Sequence, residues 1–144
     1  MQQPRSQGYS NYSNQNQARQ TFDLGDFDPL WITKQIEKKT VDFAEKVGKY
    51  LADNKLTTSQ IRNVFGELKR IQMKGFDSEK TAFLLLKPKM AYAAKRNSND
   101  GINVFKDVFN KGHNEVNDEI TFINFISLIE AILAYHKAFG GREN

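Results

Sequence analysis

Apolar residues three and four positions apart recur along most of this chain, and that spacing decides what it can fold into. Ile61, Val64, Phe65, Leu68 and Ile71 fall on one stripe of a helix with about 3.6 residues per turn. Ile32, Ile36, Phe43, Val47, Tyr50 and Leu51 make a similar stripe upstream. Val104, Phe105, Val108 and Phe109 make another downstream. Phe122, Ile126, Ile129 and Leu133 make the last, widened by Phe125, Ile132 and Phe139. No segment sustains the alternation of a half-buried strand, and no internal repeat emerges. The expected fold class is all-α, a compact bundle of about five helices with a disordered N-terminal tail.

Stop and start signals divide the chain. Residues 1–22 are rich in Gln, Asn and Ser and cannot bury enough apolar surface to offset their ordering entropy, so they read as the polar tail. Residues 23–144 form one helical domain. Its first helix opens with Asp28 as N-cap and Pro29 at the first position, and "DNK" at 53–55 ends it. Thr57 and Gln60 have capping-box spacing before the second helix, which Gly75 stops. A third helix is expected from about Ser78 to Arg96, apolar nearly all round and hence the most buried, with Pro88 kinking or splitting it. "NSNDG" at 97–101 reads as a loop, and "NKGHN" closes the short fourth helix that follows. The last helix is expected from about Asn117 to Phe139, ended by Gly140 and Gly141.

Composition excludes several kinds of chemistry. The 144 residues contain no cysteine, which removes disulfides and thiolate metal sites. No apolar run comes near the roughly 20 residues needed to cross a bilayer, and no signal-peptide core opens the chain. A cytoplasmic setting without membrane partners is expected. Two histidines stand far apart. His113 reads as a solvated loop residue and His136 as a hydrogen-bonded packing residue. Ser and Thr fall mostly at caps, and no glycine-rich phosphate loop follows a strand. No catalytic residue, metal site or cofactor is expected.

Charge is more informative. Residues 22–53 hold 5 Lys and 7 acids, and residues 99–144 hold 4 Lys+Arg and 7 acids. Residues 54–98 hold 10 Lys+Arg and 3 acids, a net of +7 in a chain of net +4. A clustered basic surface is an electrostatic footprint for a polyanion. On the second helix Arg62, Gly66 and Lys69 share a line opposite the apolar face, with Ser59 and Arg70 beside it and Lys55 just before it in register. Gly66 admits two readings. It leaves room for a phosphate backbone, or it permits a close helix contact. Lys74, Lys87, Lys89, Lys95 and Arg96 extend the patch if the second and third helices pack antiparallel, which their short connection favours. The aromatic residues fall mostly on apolar faces, and Tyr92 and Tyr135 read as seals of helix contacts. Binding to the phosphate backbone without base reading is therefore the expected mode.

Three blocks carry a resemblance: "LTTSQIRNVFGELKRIQ" at 56–72, "LLLKPKMAYAAKR" at 84–96 and "EAILAYHKAFGG" at 130–141. In this order they resemble the small subunit of the type III-A CRISPR effector, the Csm complex, over residues 28–141. The resemblance implies a non-catalytic helical subunit of a defence ribonucleoprotein. Copies would stack as a filament, or dimerise in isolation, along the duplex of guide (CRISPR) RNA and target RNA. Its other partners would be the type III-A backbone subunits and the large polymerase-like subunit. The blocks place RNA contacts at Arg62, Lys69 and Arg70, at Lys87, Lys89, Lys95 and Arg96, and at Lys137, with Arg142 just beyond. Lys55 joins them by register. The competing reading is a helical protein-interaction scaffold with incidental nucleic-acid binding. An enzyme acting on nucleic acid has little support.

Overall fold

The computed structural model describes residues 22–144, and the tail reading for residues 1–21 lies outside them. Phe22, the last residue assigned to the tail, lays its ring against Tyr50 with centroids 5.1 Å apart. The regular elements of the described residues are all helical, apart from an isolated parallel bridge between Thr57 and Arg142. The helices are α1 (Leu30–Thr33), α2 (Lys38–Asp53), α3 (Arg62–Lys74), α4 (Lys80–Leu84), α5 (Leu86–Arg96), α6 (Asp100–His113) and α7 (Glu119–Ala138). Short 3-10 turns cover Leu24–Asp26, Thr58–Ile61 and Phe76–Ser78. There are more helical segments than the five expected because two expected helices are each broken.

The first break follows Thr33. The side chain of Asn124 donates to the Ile32 carbonyl at 2.9 Å, taking up an acceptor that a continued helix would have used. The chain then restarts at Lys38, where Thr40 Oγ1 accepts from the Glu37 N–H at 2.9 Å. The second break falls at Leu85, three residues before Pro88. Proline has no N–H for the Leu84 carbonyl, and its ring clashes with the carbonyl four residues back. The bond that spans the break, from Lys89 N–H to the Leu85 carbonyl, is long at 3.4 Å.

The most buried helix is α7, a correction to the expectation for residues 78–96. Phe122, Phe125, Ile126, Leu128, Ile129 and Ile132 are all sealed from solvent, whereas Leu84, Leu85 and Tyr92 are exposed. Asp118 caps α7, accepting from Thr121 N–H at 2.9 Å, and that bond holds its carboxyl below the usual carboxylate range. By length and mean hydropathy (1.3) α7 could cross a membrane, contrary to the expectation for such runs. Here it lies against α2 along its length. Gly48 makes that crossing possible, because a Cβ there would sit 2.5 Å from the Tyr135 Cβ and 2.9 Å from the Ile132 carbonyl. Tyr135 thus seals a helix contact, as expected.

The fourth helix is longer than its flanking glycines suggest. Gly101 and Gly112 lie inside α6 and make room for neighbours, because a Cβ at Gly101 would meet the Asn54 carbonyl and one at Gly112 the Phe125 ring. His113 is therefore not solvated. It is buried, stacked on Phe83 at 4.0 Å between centroids, and its Nε2–H donates to the Phe83 carbonyl at 2.8 Å. Burial holds its pKa below the ordinary histidine value. His136 is fully buried, and its Nε2–H donates to the Leu56 carbonyl at 2.7 Å, the packing role expected for it.

Candidate nucleic-acid interface

The second helix forms as its sequence signals. Gln60 Oε1 accepts from the Thr57 N–H at 3.0 Å, one 3-10 turn follows, and α3 runs to Gly75, whose φ of 98° stops it. Val64, Leu68 and Ile71 turn inward, while Arg62, Asn63 and Gly66 are exposed. A Cβ at Gly66 would have no heavy atom of the described residues within 4 Å. Close helix packing is thus not what Gly66 serves, and its bare backbone faces open space.

Helices α3 and α5 run antiparallel. Gln60 Nε2 donates to the Asn97 carbonyl at 3.3 Å, and Arg70 reaches Glu79 at 2.7 Å beyond the other end of α5. Between them lies a groove of about 620 Å³ lined by Ser59, Gln60, Asn63 and Glu67 on one wall, and by Pro88, Lys89, Tyr92 and Arg96 on the other.

The ten sequence-selected cations divide into groups. Lys69 pairs with Glu130 at 2.5 Å, tying α3 to α7. Arg70 forks Glu67 through Nε at 3.1 Å and Nη2 at 2.8 Å, and also holds Glu79. These bonds hold Glu67 below the usual carboxylate range and push Arg70 further up. Lys69 and Arg70 thus have intramolecular partners, unlike the solvent-facing line expected of them. Lys87 is half-buried and bonds Asn114, and Lys137 pairs with Glu143, which keeps that carboxyl below its ordinary range.

Lys55, Arg62, Lys89, Lys95, Arg96 and Arg142 are exposed and form no ion pair among the described residues. Lys89 and Arg96 share the α3–α5 groove. Lys55 and Arg142 line a second depression with Thr57 and Gly140. Arg62 opens α3, and its charge acts on Glu143 of the C-terminal segment. That segment is fixed by its main chain, because Thr58 and Ser59 N–H donate to the Arg142 and Glu143 carbonyls at 3.0 and 2.9 Å.

Tyr92 is a functional candidate that the sequence reading set aside. It is 65% exposed, so it does not seal a helix contact, and the Arg96 guanidinium lies over its ring at 5.8 Å from the centroid. The signal was present in its position. Pro88, Lys89, Tyr92 and Arg96 fall on one face of a helix by their spacing, a face too polar to be core. Among the described residues no three His, Asp or Glu side chains gather into a metal-holding group.

Comparison with known protein families matches residues 34–142 to the family described as Csm2 Type III-A. No curated protein and no solved structure matches the chain.

Proposed function

The chain belongs to the Csm2 type III-A family, the small-subunit family of the CRISPR Csm complex, and from that premise we propose that it is a structural, non-catalytic subunit that binds RNA by its phosphates. Assembly with other type III-A Csm subunits follows from the family. The finer reading is that copies stack along guide and target RNA within a cytoplasmic defence ribonucleoprotein. One observation supports it above the others. Of the ten cations in residues 54–98, two (Lys69 and Arg70) form ion pairs among the described residues. Two of the three acids there, Glu67 and Glu79, are both engaged by Arg70. Residues 1–21 contain no acid that could neutralise the rest. A surplus of unpaired positive charge on one region favours a polyanionic partner.

The unpaired cations refine the candidate set to Lys55, Arg62, Lys89, Lys95, Arg96 and Arg142. Fluorescence anisotropy with two unrelated single-stranded RNAs across a salt series tests the reading. The wild-type chain should bind both alike and lose affinity as salt rises. Charge reversal at Arg62, Lys89 and Arg96 should abolish binding without changing the circular dichroism spectrum. Equal binding by that variant would remove the interface from this face. Met73, Leu84, Leu85, Ile120 and Ile123 are large apolar side chains left exposed, and they support protein contacts in the same assembly. Binding to the other subunits that survives nuclease treatment, with no RNA affinity in the chain alone or assembled, would favour the scaffold reading instead.

A further inference from the structure

The groove between α3 and α5 is built for more than phosphate contact. A phosphate site needs cations or N–H and O–H donors, and no aromatic ring. This groove sets two cations beside an aromatic ring that is 65% exposed, on a helix whose other face supplies the buried Leu86, Met90 and Ala94. Water-facing tyrosine of that extent forgoes the apolar burial that most aromatic side chains obtain. Its electron-rich face attracts the Arg96 guanidinium, and the ring stays 65% exposed beside that cation. The groove's one carboxylate, Glu67, is forked by Arg70 and lies in the field of Lys89, so its charge is compensated before a polyanion arrives. On the opposite wall Ser59 and Asn63 are exposed polar groups, while Gln60 is engaged at both ends of its amide. The volume of about 620 Å³ suits a nucleotide rather than a helix.

We infer that this groove is a base-stacking subsite, in which the Tyr92 ring receives an unpaired RNA base while Lys89 and Arg96 hold the flanking phosphates. The inference rests on the RNA reading above and adds to it. Phosphate contact alone is blind to the base, whereas stacking requires one but tolerates any of the four. The occupant is single-stranded or splayed out, because bases inside a duplex have both faces covered.

The test compares a short single-stranded RNA with an abasic ribose-phosphate strand of equal length, each titrated against the full chain. The base-bearing strand should bind about tenfold more tightly. Tyr92→Ala should reduce its affinity to that of the abasic strand, and Tyr92→Phe should restore the difference. A 2-aminopurine base in the strand should be quenched by wild type and not by Tyr92→Ala. Equal affinity of the two strands for wild type, or an unchanged preference in Tyr92→Ala, overturns the stacking subsite and leaves phosphate binding in place. Binding of neither strand overturns both. If Tyr92→Ala keeps its base preference but loses co-assembly with the other Csm subunits, the groove takes a protein segment and the inference fails.

Discussion

Lys55 holds a backbone shape that lysine rarely adopts. Its φ of 72° lies in the left-handed region, where a Cβ crowds the neighbouring carbonyl. Asn tolerates that shape better, so Lys55→Asn should raise the melting temperature while lowering RNA affinity, if the side chain serves as a phosphate contact. A single variant that moves stability and binding in opposite directions would explain why lysine stands there. Gly66 offers the complementary case. Its Cβ position is empty, so Gly66→Ala should stabilise α3 by about 0.5–1 kcal/mol in denaturant unfolding. If RNA approaches the backbone there, affinity should fall although no charge is removed. His113 contributes a pH dependence above the carboxylate range. Burial favours its neutral form, so the folded chain takes up a proton less readily than the unfolded one. Stability from this group is complete above about pH 6.5 and is lost as pH falls below that value. His113→Phe keeps the stack on Phe83 but removes the imidazole donor from the Phe83 carbonyl, at a cost of about 0.5–1.5 kcal/mol near neutral pH. Thermal melts at pH 7.5 and pH 5 should then differ less than in wild type.

Among the elements, the segment from 78 to 96 shows best what the sequence could convey. Pro88 announced an interruption, and the interruption exists, but it falls at Leu85, just after the Leu84 carbonyl on which the missing N–H and the ring act. Pro88→Ala should join α4 and α5 into one helix, seen as increased helical signal in far-ultraviolet circular dichroism and slowed amide exchange around Leu85. Leu84, Leu85 and Leu86 read as a buried run, yet after the break only Leu86 turns inward. The apolar stripe of the second helix, the capping pair at Thr57 and Gln60 and the stop at Gly75 were local in origin, and each appears in the fold. At the break after Thr33 the Asn124 contact lies far along the chain and was invisible, whereas the Glu37–Thr40 capping pair that restarts the helix was local and went unread. Gly112 misled for a similar reason. It serves as room for the Phe125 ring rather than as a helix end. Asn99 is an N-cap that the loop reading concealed; it accepts from Ile102 N–H at 2.8 Å, and Asn99→Ala should cost about 1 kcal/mol in unfolding measurements.

Over the whole molecule, the antiparallel pairing of α3 and α5 was legible through their short connection, whereas the packing of α2 on α7 and the pairing of charges were not. Lys69 finds Glu130 and Arg70 finds Glu79 across elements, and no helical wheel contains those partners. The remaining cations define a measurable quantity. For a single strand, the slope of log affinity against log salt should fall by about 0.7 for each phosphate-contacting cation replaced by Gln. Lys89, Arg96 and Arg62 replaced in turn should give additive steps. Around these surfaces the loop at 54–57 is held from three sides. Asn99 Nδ2 donates to the Lys55 carbonyl at 3.1 Å, Gly101 N–H to the Asn54 carbonyl at 3.0 Å, and buried His136 to the Leu56 carbonyl at 2.7 Å. A protease reads its substrate as an extended strand. Trypsin should therefore pass over the peptide bond after Lys55, exposed though that lysine is, until the bundle itself comes apart.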